Sequence, residues 1–236
     1  MCHANKRRFD CTCPAGFSGH RCQFKLRSCR DIMIKDKVKA NGFYSVFDEE
    51  GILFQVFCDF HSEPNFAWTL IQSHSLQNND AFTHKPFYLY DMPIHQHAPR
   101  WDSYRLSLSR MKSIRNVSTH WRATCNFPTS VMDFRDYIRT SFVNTDFLVT
   151  PAGNRCIRYE FVDIRGNSCQ NCTVYSPYGD SYAYHIDSWW DVGCDFTARL
   201  GGVVDEDNFG HYGTRNGEFG CSSSMTSTTQ YWIGSI

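Results

Sequence analysis

At 236 residues, with 42% hydrophobic and 16% aromatic content, the chain is long enough for one sizeable core plus a small module. Lys plus Arg and Asp plus Glu both number 24, a formal charge of zero, and no basic stripe of the kind that neutralises phosphates stands out, which argues against nucleic acid as a partner. The most apolar stretch, Gly51 to Phe57, falls far short of the ~18 to 20 apolar residues that span a bilayer, so no membrane segment is expected in this sequence.

Twelve cysteines, an even number spread from Cys2 to Cys221, read as a disulfide framework, which persists outside the cell and not in the reducing cytosol. Two sequons, at Asn116 and Asn171, point to a secreted glycoprotein. The first residues carry no apolar segment followed by a cleavage site, so either a signal was removed or the chain is a fragment.

The first element in chain order is the stretch CTCPAGFSGHRC, residues 11–22, in which Gly16 and Gly19 permit the tight turns that dense cross-linking requires. Its spacing is Cys2, eight residues, Cys11, one residue, Cys13, eight residues, Cys22. That spacing and the ending C-x-x-G-F-x-G-x-x-C resemble the second half of an EGF-like module. The resemblance implies a Cys13–Cys22 bridge and partners for Cys2 and Cys11 upstream of Met1, so the chain reads as an N-terminally incomplete copy of a longer secreted protein. A local Cys2–Cys11 bridge is the alternative. Residues 1–24 are therefore expected to be a partial EGF-like module, and 25–236 one further domain.

Beyond Phe24 comes a basic connector, KLRSCR, and then an aromatic-rich region without repeats. In GFYSVFDEEGILFQVFCDF two strand-like runs flank the polar turn Asp48 to Gly51, and Ile52, Phe54, Val56, Cys58 and Phe60 share one face by alternation, which predicts a β-hairpin. AWTLIQSHS reads as a further strand, SYRLSLSRMKSI as strand or helix, and CIRYEFVDI and TQYWIGSI as strands separated by polar loops. The expected class is α+β with a mainly antiparallel sheet.

CRDI, Gly42-Phe43-Tyr44, FQVFCDF and Trp68-Thr69-Leu70-Ile71-Gln72 together resemble the opening of a fibrinogen C-terminal-like domain. YSPYG, residues 175–179, resembles a segment of the intelectin branch, while the family's Gly-Gly-Trp-Trp signature is missing and Trp189-Trp190 sits too early to replace it. The resemblance implies a Cys29–Cys58 bridge. It also implies calcium as a candidate cofactor at Asp205, Asp207 and Asn208, whose D-x-D-N order resembles the family's calcium loop. Phe209 stands where the family has a further acidic residue, Glu206 points away if the loop is extended, and an acidic turn that binds nothing is the alternative. The combination of modules is also similar to secreted cnidarian proteins, including those of the coral skeletal organic matrix.

Among other constellations, Cys169-Gln170-Asn171-Cys172 is a CxxC read as two structural half-cystines rather than a redox pair, and six cysteines (125, 156, 169, 172, 194 and 221) leave their pairing open. His95 and His97 beside Pro93 and Pro99 read as a solvated loop. No G-x-S-x-G, H-E-x-x-H or Gly-rich phosphate loop occurs, so no enzyme is expected. The functional expectation is a secreted matrix interaction or scaffolding protein, of a mineralising skeletal matrix, with extracellular proteins or glycans as partners. The alternative is a calcium-dependent, lectin-like glycan-recognition protein.

Overall fold

The computed structural model describes residues 2–5, 8–129, 132–150, 156–179, 181–190 and 193–236, with side chains from position 12 onward. Strands β1 (Cys2–Asn5) and β2 (Arg8–Cys11) pair antiparallel, as do β3 (Phe17–Ser18) and β4 (Phe24–Lys25). A helical turn, α1 (Cys29–Asp31), capped by the Ser28 hydroxyl accepting from the Asp31 amide, runs into a π-helical turn at Ile32–Asp36. Then come β5 (Gly42–Phe47), β6 (Leu53–Asp59), β7 (Ala67–Ser75), α2 (Asp80–Thr83), β8 (Ser103–Arg105), α3 (Leu108–Arg115), β9 (His120–Cys125) and β10 (Tyr137–Ser141). The chain ends with β11 (Cys156–Ile164), β12 (Asn167–Tyr175), β13 (Ile186–Asp187), β14 (Glu206–Asn208), β15 (His211–Tyr212) and β16 (Thr228–Ser235).

Nine strands form one antiparallel sheet in the order β12-β11-β10-β9-β16-β7-β6-β5, with β8 on β7. The expected hairpin is β5–β6. Its turn closes because Asp48 Oδ1 accepts from the Ile52 amide at 2.7 Å and Gly51 takes φ +80°, where a Cβ is strained. Of the five alternating residues, Phe54, Val56 and Cys58 are buried, Phe60 is half-buried and Ile52, at the turn, is exposed. SYRLSLSRMKSI divides into both readings: β8 takes its start and α3 its end, because Ser107, accepting from the Arg110 amide, caps the helix at the junction.

The C-terminal strand β16 lies in the middle of the sheet, between β7 and β9, and both it and β7 are buried along their whole length. Two aromatic layers cover the two faces, which explains why these strands do not alternate apolar with polar. On one face Trp121 and Tyr231 pack with Phe147 and Tyr184. On the other, Trp232 packs with Phe57, Trp101 and Phe127, around a buried Arg122. Gly234 is needed where β16 crosses β7, since a Cβ there would stand 2.4 Å from the Trp68 ring and 2.7 Å from the Ala67 carbonyl.

Five disulfides tie the described residues together: Cys13–Cys22, Cys29–Cys58, Cys125–Cys221, Cys156–Cys194 and Cys169–Cys172. The three later pairings were open in the sequence. Cys2 and Cys11 face each other in register on β1 and β2, while their side chains lie outside the described residues. The N-terminal segment rests on the hairpin: Phe17 meets Phe47 edge to face at 4.9 Å, and Gly16 sits where a Cβ would strike Leu53 and Phe47.

Candidate functional site: a histidine and aspartate face on the β13–β15 sheet

β13, β14 and β15 make a small sheet apart from the large one. Its register places Asp187 opposite Asp207, and Asp207 opposite His211, so three titratable side chains line up across one face. His185 belongs to the same face, two residues before Asp187, and its Nε2 lies 3.8 Å from Asp207 Oδ2. His84 and Tyr182 complete the cluster, with ring centres 5.8 and 6.0 Å from that of His211. Gly210 lets the β14–β15 turn approach this closely, because a Cβ there would lie 2.0 Å from the Tyr184 carbonyl oxygen.

The electrostatics follow from burial and crowding. Burial and the facing Asp187 push the Asp207 carboxyl up to about 6, with Asp205 adding in the same direction and His211 opposing. Burial holds His185 and His211 below the ordinary imidazole value. His185 Nδ1 is 2.8 Å from the Ala183 carbonyl, which can only accept, so Nδ1 carries the hydrogen and the neutral ring turns a bare Nε2 toward Asp207. The chemistry available is that of a polar receptor, with imidazole and carboxyl groups as both donors and acceptors.

An aromatic edge adjoins this face. Asp187 Oδ1 accepts from the amides of Trp189 and Trp190 at 2.7 and 2.8 Å, fixing the turn that carries them. Trp189 is 55% exposed, Trp190 61% and Tyr182 49%. Arg199 braces the turn by donating to the Trp189 carbonyl at 2.6 Å.

The candidate calcium set is not brought together. Asp205 is exposed at φ +61°, Asp207 faces the histidines, and Asn208, fully buried, points to the opposite side of β14 and donates to Glu206 Oε1 at 2.8 Å. Strand alternation puts Asp207 and Asn208 on opposite faces. Glu206 is itself a structural hub, holding Arg165 at 2.7 Å and Asn216 at 2.6 Å inside the core. Among the described residues no group of three or more His, Cys, Asp or Glu side chains is arranged to hold a metal ion.

The remaining sequence candidates are dispersed. Asn116 and Asn171 are exposed, the first at the end of α3 with its amide donating to Glu49, the second at φ +52° in β12. His95 and His97 are exposed in the loop before β8. Cys169 and Cys172 bond to each other, and the Thr173 hydroxyl donates to Asp195 at 2.8 Å. Sequence reasoning missed His84, Tyr182, His185, Asp187 and His211. The one local signal was the alternating His185-Ile186-Asp187 before the tryptophan pair. A comparison with protein-family models and with curated protein sequences finds no match.

Proposed function

We propose that this chain works outside the cell as a matrix recognition protein, without catalysis, and that the β13–β15 face with its tryptophan edge binds carbohydrate. The carrying observation is the pair of exposed tryptophans locked by Asp187 beside a row of imidazole and carboxyl groups. Aromatic rings offer flat apolar area to the C–H faces of sugars, and the polar row offers donors and acceptors to hydroxyl groups. Large apolar rings are costly to leave in water without a partner, and exposed aromatic patches mark interaction sites.

In this reading residues 25–236 form a divergent fibrinogen C-terminal-like domain behind part of an EGF-like module. The Cys13–Cys22 and Cys29–Cys58 bridges support it, as pairings the resemblance implies, and so does the mainly antiparallel sheet. The five disulfides support an oxidising compartment. Among the described residues no helix is long and apolar enough to cross a membrane.

Glycan-array binding tests the proposal. The expected outcome is binding that survives a chelator, because the carboxylates do not converge as a calcium cage, and that falls at least about tenfold in Trp189→Ala/Trp190→Ala, as for an aromatic hot spot. An array without a binder, or one unaffected by the double substitution, overturns it.

A further inference from the structure

The charge of this neutral chain is unevenly placed. Residues 20–39 hold seven Lys or Arg against two Asp, a net of +5, while the rest holds 17 against 22. Six of the seven basic side chains, Arg21, Lys25, Arg27, Lys35, Lys37 and Lys39, are exposed. Two of them, Lys35 and Lys37, line a cleft.

The β3–β4 hairpin and the π-helical turn Ile32–Asp36 enclose a cleft of about 620 Å³ whose lining includes Ser18, His20, Phe24, Lys35, Asp36 and Lys37. Lys35 is held in place, with its ammonium 2.7 Å from Asp31 and 5.7 Å from the Phe24 ring centre. Lys37 ends the turn at φ +56°, so the chain bends there and both lysines border the same cleft. Ser18 is 2% exposed and its hydroxyl has no hydrogen-bond partner. A buried hydroxyl without a partner is destabilising, and an anionic oxygen entering the cleft would accept from it. Asp36 is the one carboxylate of the lining, and against it stand two ammonium groups and an imidazole.

We propose that this cleft binds a sulfated polysaccharide chain of the extracellular matrix. Sulfate groups spaced along a flexible polymer match the two point-charge ammonium groups of Lys35 and Lys37, both exposed. The disulfides support an oxidising compartment, where sulfated glycans, rather than nucleic acids, are the abundant polyanions. The inference is independent of the carbohydrate site on β13–β15, which lies on other residues and carries acidic groups.

Heparin is the probe. The full chain should be retained on immobilised heparin at about 0.15 M NaCl and elute at higher salt, since such contacts are screened and release counterions. Lys35→Gln/Lys37→Gln should weaken binding about tenfold and reduce the slope of log affinity against log salt by roughly the two charges removed. Lys112→Gln, an exposed charge on α3, and Trp189→Ala/Trp190→Ala should elute as the parent does, separating this cleft from the other site. Melting curves of all variants should coincide with that of the parent, and Ser18→Ala should keep the fold while lowering affinity. Flow-through of the parent, unchanged elution of Lys35→Gln/Lys37→Gln, or equal competition by desulfated heparin overturns the proposal. An oligonucleotide that displaces the protein more effectively than heparin overturns the choice of ligand.

Discussion

Asp187 and Asp207 stand directly opposite each other on neighbouring strands, and His185 and His211 flank them. Like charges across a strand pair repel, and here partial burial removes the water that would screen them. Burial, which disfavours the charged form, and the facing Asp187 together favour a retained proton, which is why the Asp207 carboxyl titrates at about 6. The same proton prepares Asp207 to donate to an acceptor below that pH and to accept above it.

Stability should follow that titration with a definite sign. A carboxyl whose pKa is raised on folding adds stability below its unfolded value, near 3.8, and the benefit is lost as pH rises through about 6. Asp207→Asn removes the titration, so its stability relative to the parent should improve by about 1 to 2 kcal/mol between pH 4 and pH 7, after allowing for solvent screening. Urea unfolding at the two pH values measures this. Equal differences at both would refute the assignment of the proton to Asp207.

Arg122 holds the charge centre of the large sheet. Its guanidinium is fully buried 2.7 Å from Asp59 and 2.9 Å from Glu63, with the Trp68 and Trp232 ring centres 4.7 and 4.8 Å away. Arg122→Met should cost about 3 to 5 kcal/mol, because it leaves Asp59 buried without its counter-charge and Glu63 with Arg139 alone. Adding Asp59→Asn and Glu63→Gln should recover part of that loss. Chemical denaturation of the single and triple variants checks it, and a triple variant weaker than the single one would contradict the account.

The disulfides should differ in worth by the loops they close. Cys125–Cys221 spans 96 residues and Cys29–Cys58 spans 29, whereas Cys169–Cys172 spans 3. Loop entropy assigns about 4 to 5 kcal/mol to the first and about 3 to 4 to the second. Paired Cys→Ala variants, ranked by calorimetry, should lose stability in that order, with Cys169→Ala/Cys172→Ala the mildest. A reversal between the longest and shortest loops would show that native packing, not loop closure, decides.

Calcium should leave the melting temperature unchanged. A ligand that binds only the folded state raises it, and hard cations take about six to eight oxygens at one point. Asn208 is turned away from Asp205 and Asp207 and is already engaged by Glu206. Scanning calorimetry in about 10 mM calcium, well above the roughly 0.1 to 1 mM range of weak extracellular sites, decides; an upward shift abolished by Asp205→Ala/Asp207→Ala would restore the site.

What the sequence determined by itself is local. The β5–β6 hairpin was legible because Asp48 to Gly51 is a turn flanked by alternating residues, and β7, β11 and β16 were legible as continuous strand-forming runs. The basic connector was visible as composition, though not its partner cleft. The tertiary structure decided whatever depends on long-range closure. Sequence does not say that the last strand enters the middle of the sheet, nor that Cys125 reaches Cys221, because pairing across some hundred residues is chosen by the packed core and not by spacing. The site shows the same division. Alternation alone separates Asp207 from Asn208, but the meeting of His84, His185 and His211 requires three distant segments to be folded against one another, and only then does burial hold His185 and His211 below the ordinary imidazole value.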